Sequence, residues 1–525
     1  MATIIDLNEF SRSNMRAACD VCIIGAGAAG LYLASRLSQE GLCVIVLEAG
    51  GTTCGSGAAA GIEAVFSGSQ YRGAAEGRAF GWGGTTSRWG GLLVPHSELD
   101  LRDEATLESM VWEHIVKVVR ERSSVVLSTL VPEAAPDFFS LPAAVLGGKA
   151  KLLHDCGLET VAAEFLPFRR RNLTYLASAR TSRDLTVYIN AVASKWFVKP
   201  TPHSSDGVSA VEATSRGARS LRVTARSFVV AAGAIESARI LLEIDRSTGE
   251  RMFPRSASIG RYLSDHLSCA IADVHPEDKN RAADLFGPIF HKGRMRSFRF
   301  IDTSIASFLP RHFTHFIFDI DNSVFRLVKD LLFSLQARVF PDFRFSKAVN
   351  GINGLSRLVY NRFFKSRLFI PVDTPVHLQM DIEQTPDREN RVYLGENTDQ
   401  YGRPIAVVHW QVNEADHKNI QTMSQRLLMK WPGRSVGFPR VVPIRIGDAP
   451  KPHDAYHPVG VCRMGTDHEA AVDLDLRVKG TQNLYVLSTG VLPSAGTANP
   501  TFSMLCLGDR LAEKIVNLKV GKYGS

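Results

Sequence analysis

The sequence predicts a mixed α/β protein in which a discontinuous domain built on a parallel sheet is joined to a second domain built on an antiparallel sheet with helices. Three observations predict this class. A glycine-rich strand–turn–helix–strand unit lies near the N-terminus, alternating apolar and polar runs occupy the middle third, and a strand–turn–helix unit lies near the C-terminus. Because the chain has 525 residues, one hydrophobic core is not enough and two structural domains are expected.

The composition is that of a globular protein, with 45% hydrophobic and 22% charged residues. No apolar run has the length needed to span a bilayer. The first residues lack the continuous apolar stretch of a secretory signal. The eight cysteines are scattered, which is typical of reduced thiols rather than of a disulfide framework. We therefore expect a cytoplasmic location.

The N-terminal unit has the pattern of a Rossmann-like dinucleotide-binding site. An apolar strand is followed by three glycines in the spacing G-x-G-x-x-G, at Gly25, Gly27 and Gly30. A helix and a second apolar strand follow, and that strand ends in Glu48. The first glycine permits the turn, the second lets the backbone approach a pyrophosphate, and the third allows close packing of the helix. The helix N-terminus attracts phosphate, and Glu48 can accept the hydroxyls of a ribose.

Two further segments bear on the cofactor. Residues 77–91 hold six glycines and two tryptophans, and such a loop can present backbone N–H groups to an anion or a flat ring. Residues 227–242 again suggest strand, turn and helix, but without the full glycine fingerprint. A single fingerprint indicates one resident dinucleotide that performs the redox step.

The expected domain boundaries follow from these units. The dinucleotide-binding domain takes residues 16–100, 165–270 and 451–520, and residues 101–164 form a helical lid, with helices at 104–122 and 142–156. Strands at 185–197, 208–213 and 220–226 are expected to form a small antiparallel piece within the first domain. The substrate-binding domain takes residues 271–450, where alternating runs predict antiparallel strands at 376–383 and 405–410.

Two segments near the C-terminus hold the candidate catalytic residues. His457 is a titratable base that precedes a proline, and Asn499 is a neutral amide at the start of a helix. Either residue alone would be ordinary, since a histidine is often a satisfied core residue and an asparagine often a helix cap. Together with the glycine fingerprint they are far more specific.

The sequence resembles the glucose–methanol–choline (GMC) family of flavoprotein oxidoreductases. The resemblance covers nearly the whole chain, with little in 275–375. Besides the fingerprint and both C-terminal segments, it rests on Gly81-Trp-Gly-Gly-Thr with Trp89-Gly-Gly, Ala231-Ala-Gly-Ala-Ile-Glu-Ser, Gly260-Arg-Tyr-Leu-Ser-Asp-His266, and Glu383-Gln384. It implies that the first domain is an FAD-binding domain and that the reaction is oxidation of an alcohol to a carbonyl.

The resemblance also assigns roles to the site residues. His457 would be the base that takes the hydroxyl proton while a hydride passes to flavin N5, and Asn499 would hydrogen-bond the same oxygen. His266 is expected to be structural. The cofactor-binding residues implied are Gly25, Gly27, Ala28, Ala29, Gly30, Glu48, Ala49, Arg78, Gly83, Gly84, Thr85, Trp89, Gly90, Val192, Ala232, Gly233, Gly490, Val491, Pro500 and Thr501. The last two would lie at the pyrimidine edge of the flavin.

The mode of cofactor attachment and the metal content can also be predicted. Some family members attach FAD through a histidine of the glycine-rich block. Arg88 stands at that position here and cannot form the bond, and His96 is the nearby competitor. We therefore expect non-covalent FAD. No spacing of metal ligands occurs in the sequence, and no metal is expected.

The expected function is FAD-dependent oxidation of a small-molecule alcohol, with a sugar or natural-product alcohol favoured because Trp89-Gly-Gly and Ala498-Asn-Pro-Thr resemble sugar-oxidising relatives. One alternative is an FAD-containing lyase on the same fold without net redox chemistry. Another is a membrane-associated oxidoreductase of a lipid-linked substrate. A membrane-binding protein with a vestigial flavin site is disfavoured by the intact catalytic pair. The electron acceptor, oxygen or another, and the oligomeric state stay open.

A basic aromatic block, residues 291–370, holds 14 Lys and Arg against 5 Asp, together with 15 aromatic residues. Within it, residues 322–340 have helical periodicity. The apolar stripe of that helix is Phe325, Val328, Leu332, Leu335 and Val339. One interpretation is a substrate-domain helix with a solvated polar face, and the other is peripheral contact with an anionic membrane. No nucleic-acid recognition motif is present, so nucleic acid is not an expected partner.

Overall fold

The computed structural model describes residues 2–10, 14–102, 106–132, 138–178, 184–199, 207–254, 257–304, 309–320, 323–337, 352–372, 374–444 and 451–520. The strands are β1 (Thr3–Asp6), β2 (Met15–Ile24), β3 (Val44–Leu47), β4 (Ala64–Phe66), β5 (Leu92–Leu93), β6 (Leu158–Phe165), β7 (Leu185–Ile189), β8 (Val192–Lys199), β9 (Gly207–Thr214), β10 (Ser220–Val230), β11 (His266–Val274), β12 (Ile289–His291), β13 (Arg294–Asp302), β14 (His312–Phe318), β15 (Val376–Glu383), β16 (Arg391–Thr398), β17 (Pro404–His409), β18 (Val441–Pro443), β19 (His453–Asp454) and β20 (Leu484–Val486). The helices are α1 (Ala28–Gln39), α2 (Gly57–Ala60), α3 (Arg72–Ala75), α4 (Leu107–Leu130), α5 (Ser140–Leu146), α6 (Gly148–Asp155), α7 (Phe168–Arg171), α8 (Ala234–Ser247), α9 (Lys279–Phe286), α10 (Ser323–Ala337), α11 (Ile352–Phe364), α12 (Glu414–Lys430) and α13 (Pro500–Val520).

The first sheet carries the glycine-rich turn. Its strand order is β1-β7-β3-β2-β10-β9-β8, and β20 pairs with β10. The central strands run parallel, with β2 between β3 and β10. Because Ile24 and Val230 are partners in this register, the carboxyl ends of β2 and β10 lie side by side. That edge is where a parallel sheet with helical crossovers binds its ligand. The predicted mixed α/β class with a Rossmann-like domain is confirmed.

Two local predictions about this sheet were wrong. The segment 220–226 and the strand that begins at 227 are one strand, β10, which pairs antiparallel with β9 in its first half and parallel with β20 in its last residues. The single strand predicted at 185–197 is two strands, β7 and β8. The chain turns between them at Asn190, which has φ of 51°, and asparagine tolerates this left-handed conformation better than most residues.

The second sheet is antiparallel, in the order β18-β11-β15-β14-β13-β6-β5, with β12 beside β13 and β19 beside β11. Three of its strands, β5, β6 and β19, lie outside the predicted range 271–450, and a fourth crosses the boundary of that range. β6 belongs to the predicted lid segment, and β11 begins at His266. A third, small sheet of β16, β17 and β4 joins residues 64–66 to the middle of the chain. The domain boundaries themselves stay a prediction.

Helices cover the first sheet and connect the two ends of the chain. α13 packs against both α1 and α4. Asp509 on α13 accepts hydrogen bonds from Tyr32 and Arg36 on α1, at 3.0 and 2.8 Å. The predicted lid helix at 104–122 is longer, since α4 extends to Leu130, and the helix predicted at 142–156 is broken at Gly147. Among the described helices, none combines the length and the apolar character needed to cross a bilayer.

The basic charges of the block 291–370 are distributed in two ways. Arg294 and Arg296 are buried on β13 and form ion pairs with Glu164 of β6. By contrast, α11 leaves aromatic side chains exposed, and Phe364 is 78% accessible. Of the stripe predicted on α10, Leu332 and Leu335 are exposed. The other stripe positions have side chains outside the described residues.

Candidate active site

A long cleft runs along the carboxyl edge of the first sheet. It contains about 1330 Å³ of space not filled by protein atoms, part of it open to solvent. The glycine-rich turn forms one wall. Gly25 has φ of +106°, and a Cβ there would lie 2.6 Å from the carbonyl oxygen of Ala231. A Cβ on Gly30 would lie 1.9 Å from the carbonyl oxygen of Gly25, whereas one on Gly27 would meet no atom within 4 Å. The position of Gly27 thus leaves room in the cleft for a ligand to approach the backbone.

Glu48 closes the turn from inside. One of its carboxylate oxygens accepts the N–H of Ala26 at 2.7 Å, and the other accepts those of Gly50 and Gly81 at 2.9 and 2.8 Å. Burial raises the pKa of Glu48, and these backbone donors oppose that shift. A carboxylate has about four lone-pair sites, so capacity for a ribose hydroxyl remains. The side chain therefore holds the glycine loops together in addition to facing the cleft.

A buried ionic cluster forms another part of the wall. Glu236 lies among Arg78, Arg239 and Arg403, with its carboxylate 2.7 Å from Arg239 and 3.1 Å from Arg403. Burial opposes ionisation, but the three guanidinium groups hold the pKa of Glu236 at about 2. The Nη1 atom of Arg78 is buried without a hydrogen-bond partner. An unpaired buried donor facing a cleft suits a polar or anionic group of a ligand.

Most of the predicted cofactor-binding residues line this cleft. They are Gly25, Gly27, Ala28, Ala29, Glu48, Ala49, Arg78, Gly84, Thr85, Trp89, Val192, Ala232, Gly233 and Thr501. The cleft lining does not include Gly30, Gly83, Gly90, Gly490, Val491 and Pro500. Gly83 approaches Asn172 and Gly490 approaches Val461, so these two glycines allow close packing beside the cleft. The binding roles of all these residues stay predictions.

The two predicted catalytic residues are in contact. Asn499 directly precedes α13, and its amide nitrogen lies 2.6 Å from Nε2 of His457. The neighbours of His457 in sequence, Tyr456 and Pro458, line the cleft, as does Thr501. The backbone N–H of His457 donates to Asp265 at 2.8 Å. The pair is thus anchored at the edge of the dinucleotide cleft.

The hydrogen bonds fix which nitrogen of His457 is bare. Nε2 of His266 lies 2.8 Å from the carbonyl oxygen of Gly496, which can only accept, so that nitrogen carries the proton. Burial lowers the pKa of His266, so its ring is neutral and its Nδ1 is an acceptor. Nδ1 of His457, 3.1 Å away, must then donate to it. Nε2 of His457 therefore carries no proton, as a base requires, and its lone pair accepts the amide N–H of Asn499.

Asn499 is oriented from the other side by Arg299. The guanidinium, which has only donors, bonds to Oδ1 of Asn499 and so turns the amide nitrogen toward His457. Arg299 also lies 3.9 Å over the ring of Phe313. Burial lowers the pKa of Arg299 to about 10. Burial also lowers the pKa of His457 well below its ordinary value, and the neighbouring His266 and Arg299 lower it further.

Behind the pair, Asp265 collects hydrogen-bond donors. It accepts the backbone N–H groups of His266, Ala455 and His457, and it bonds to the hydroxyl of Tyr71. Burial raises the pKa of Asp265, and the nearby Asp454 raises it further. Asp265, His266 and His457 are the described group whose possible metal-ligand atoms converge, within 4.8 Å. The polar atoms of these three residues already form hydrogen bonds with one another, with the backbone or with Asn499.

A buried carboxylate holds the loop that His266 contacts. Glu383 accepts from Arg102 at 2.9 Å, from Ser494 at 2.7 Å, and from the N–H groups of Arg311 and Gly496 at 2.8 Å. Burial opposes ionisation, but Arg102 and the other donors hold the pKa of Glu383 at about 2. Since Gly496 in turn accepts from His266, this carboxylate supports the base from a distance.

The residues considered for flavin attachment both form hydrogen bonds within the protein. Arg88 is exposed and donates to the carbonyl oxygen of Cys54 at 3.3 Å. His96 is buried, with Nδ1 2.7 Å from Ser503 and Nε2 3.0 Å from the carbonyl oxygen of Ala495. Both ring nitrogens of His96 are therefore engaged within the protein.

Sequence reasoning missed several functional neighbours. In the sequence, Arg299 is only one member of the basic block, and the structural role expected for His266 does not include its contact with His457. Alternation along β13 places Arg294 and Arg296 on one face and Arg299 on the other, which could have separated Arg299 from its ion-paired neighbours. No pattern in the sequence indicates its contact with Asn499, which lies 200 residues away.

Comparison with known proteins first defines the class. Residues 386–508 match the family profile described as GMC oxidoreductase, and residues 23–73 match the NAD(P)-binding Rossmann-like domain. The chain thus carries the C-terminal domain of the GMC oxidoreductases together with a Rossmann-like dinucleotide-binding unit. The resemblance expected from the sequence motifs is confirmed.

Individual relatives are oxidases and dehydrogenases of that family. Paromamine 6'-oxidase of Streptomyces fradiae is 26% identical over 327 residues, 61% of this chain and 50% of that enzyme. Choline oxidase of Arthrobacter globiformis is 31% identical over 131 residues, 24% of this chain and 23% of that enzyme. C-glycoside 3-oxidase of the same species is 32% identical over 133 residues, 24% of each chain. The chain therefore matches half or less of the length of these relatives.

A solved structure shares the fold. The crystal structure of pyridoxine 4-oxidase from Mesorbium loti superposes with a TM-score of 0.57 at 17% identity, covering 94% of this chain and 99% of that one. At 17% identity, this similarity establishes only that the two proteins share a fold.

Proposed function

We propose that this protein is an FAD-dependent oxidoreductase that oxidises the CH–OH group of a small-molecule alcohol to a carbonyl. The observation that carries the proposal is the unprotonated Nε2 of His457, which lies 2.6 Å from the amide nitrogen of Asn499 at the edge of the dinucleotide cleft. A histidine with a depressed pKa and a fixed tautomer is suited to accept a proton at neutral pH.

The residues of the pair divide the work on the substrate oxygen. An alcohol hydroxyl that reaches Nε2 of His457 gives its proton to that nitrogen. Asn499 donates its amide N–H to the same oxygen and keeps the carbon-bound hydrogen aimed at the cleft. Base catalysis of this kind contributes about 10²- to 10⁴-fold in rate. FAD, when bound, supplies the acceptor for the hydride.

We further propose that FAD is bound without a covalent link. The cleft offers the glycine turn, the unpartnered Nη1 of Arg78 and the start of α13, whose N-terminal dipole favours negative charge. Arg88 has no chemistry for attachment to a flavin. Both ring nitrogens of His96 have partners inside the protein.

The proposal is tested by an anaerobic substrate screen. The purified flavoprotein is mixed with paromamine, choline, pyridoxine, a C-glycoside and neutral sugar alcohols, and the long-wavelength flavin band is followed. Bleaching by an alcohol supports oxidation, and readmission of air shows whether oxygen restores the band. Turnover without bleaching would instead indicate the lyase. His457→Gln should slow bleaching by about 10²- to 10⁴-fold, and the exposed His417→Gln serves as the matched control.

We also propose peripheral contact with an anionic membrane through α11 and the residues after it. Residues 352–372 contain four basic residues, Arg357, Arg362, Lys365 and Arg367, and no acidic residue. On α11, Phe363 and Phe364 are 72% and 78% accessible. Exposed aromatic rings beside basic side chains are typical of segments that bind a lipid interface.

This contact has a direct test. Flotation with vesicles that contain anionic lipid should carry the protein upward at low salt, and Phe363→Ser with Phe364→Ser should prevent it. Leu107→Ser, which removes an exposed apolar side chain on α4, is the control and should still float. Absence of the unaltered protein from the lipid fraction would exclude the contact.

A further inference from the structure

Arg299 is a buried cation next to the catalytic pair. It extends from β13 of the second sheet and donates to Oδ1 of Asn499. Its Nη1 atom is buried and has no hydrogen-bond partner. Within the described part of the chain no carboxylate lies within ion-pair distance of it, and Asp381 acts on it only from farther away. The neighbouring Arg296, in contrast, is paired with Glu164 at 2.9 Å.

Arg299 and four other side chains form a closed ring of contacts. Arg299 lies 3.9 Å over Phe313, and the rings of Phe313 and His266 meet at an interplanar angle of 76° with centroids 5.3 Å apart. His266 contacts His457, and His457 contacts Asn499. The hydrogen bond between Asn499 and Arg299 closes the ring. A closed set of contacts restricts every rotamer in it, so the orientation of the amide depends on the guanidinium.

We propose that Arg299 is a positioning residue for the His457–Asn499 pair, holding the Asn499 amide with its nitrogen toward Nε2 of His457. The positive charge of Arg299 also acts on the neighbouring imidazole. The inference rests on the proposed function, since it assigns a role within the same site. The role is indirect, because Arg299 reaches the reacting oxygen only through Asn499.

The charge effect has a definite sign. The groups that face His457 are His266 from β11, Arg299 from β13, His96 after β5, and the carboxyl group of Asp265 at its backbone N–H. Asp381 of β15 lies behind Arg299. A positive charge near an imidazole disfavours its protonation. Removing that charge should therefore raise the pKa of His457 and shift the rise of the flavin-reduction rate to higher pH.

The test compares two substitutions by anaerobic stopped flow across pH. Arg299→Met removes both charge and donor, so the rate should fall about tenfold to hundredfold and its pH dependence should shift upward. Arg299→Lys keeps the charge without the planar fork, so the rate should fall with the pH dependence unmoved. In an Asn499→Ala background, Arg299→Lys should change the rate less than about twofold, because the residue acts through Asn499.

If Arg299 had only a structural role, its substitution would change thermal stability without moving the pH dependence of the rate. Arg296→Met removes a buried guanidinium from the same strand and should change thermal stability without shifting the pH profile. If Arg299→Met leaves the pH profile unmoved, or if the effects of Arg299→Lys and Asn499→Ala are fully additive, the proposal is overturned. If Arg299→Met does not fold, the double-mutant cycle of Arg299→Lys with Asn499→Ala still tests the proposal.

A readout independent of turnover separates this inference from the proposed function. Nitrogen shifts of histidines in the isotope-labelled flavoprotein, assigned by loss of the signal in His457→Gln, report the pKa and tautomer of His457 without substrate. The pKa should rise in Arg299→Met and stay in Arg296→Met. If no alcohol bleaches the flavin, the proposed function fails while this titration still tests Arg299. An unchanged His457 titration in Arg299→Met would refute the positioning role itself.

Discussion

Replacement of Glu383 by glutamine removes the charge that holds the loop beneath the base. Glu383 has a pKa of about 2 in the folded protein. A carboxyl in an unfolded chain has a pKa of about 4.3, and the difference corresponds to about 3 kcal/mol at neutral pH. Glu383→Gln also turns an amide donor toward groups that are themselves donors. We therefore expect Glu383→Gln to lower the free energy of unfolding by at least about 3 kcal/mol at neutral pH.

The sign of the pH dependence follows from the direction of the shift. Because the folded-state pKa is depressed, the stabilisation is fully present above the unfolded pKa and is lost as the pH falls toward the folded value. The stabilisation contributed by Glu383 should fall to about half of its value at neutral pH by pH 3. Spread over the unfolding entropy of 525 residues, the loss at pH 7 corresponds to about 3 °C in Tm for a chain that unfolds as one unit.

The assay is thermal unfolding of the flavoprotein at pH 7 and at decreasing pH, for the unaltered chain, Glu383→Gln and the surface control Glu396→Gln. The control should match the unaltered chain. A Tm of Glu383→Gln within about 1 °C of the unaltered chain at pH 7 would refute the reasoning. So would a Tm difference that is the same at pH 7 and pH 3, because it would show that the charge of Glu383 is not the source.

Three further outcomes are expected. His457→Gln should slow flavin reduction by about 10²- to 10⁴-fold with the yellow colour retained, and a smaller effect in stopped flow would contradict its role as base. Gly30→Ala places a Cβ 1.9 Å from the carbonyl oxygen of Gly25 and should lower Tm, whereas Gly27→Ala meets no atom within 4 Å and should keep Tm but weaken FAD binding in a titration. Equal effects of the two glycine variants would speak against the assigned turn. Acid precipitation should leave the flavin in the supernatant, since Arg88 cannot hold it covalently, and a yellow pellet would show a link.

Much of the site could be predicted because its residues lie in short segments with their own local physics. The turn from Gly25 to Gly30 needs a positive φ and two close approaches, and only glycine meets all of these demands. His457 beside a proline and Asn499 before α13 are likewise recognisable within a few residues. Most of the residues predicted to hold the cofactor line the cleft for the same reason.

The remaining features depend on distant parts of the chain. Glu48 was expected to face a ribose, but its oxygens also accept N–H groups from two other loops, one of them 33 residues away. The basic block was interpreted as one surface, yet its arginines divide between a buried ion pair with Glu164, the contact of Arg299 with Asn499, and the exposed α11. The direction in which each side chain points is set by strand register, which a single sequence does not record.

By itself the sequence determined the α/β class and the dinucleotide turn and predicted the base and its amide partner, because each is encoded by residues that are near one another in the chain. The tertiary structure decided which nitrogen of His457 is bare, since that follows from His266 donating to Gly496 on a separate segment. It also decided that Arg299 orients Asn499. Hydrogen-bond direction and charge act over a few ångströms in space, and only the folded chain brings these groups that close.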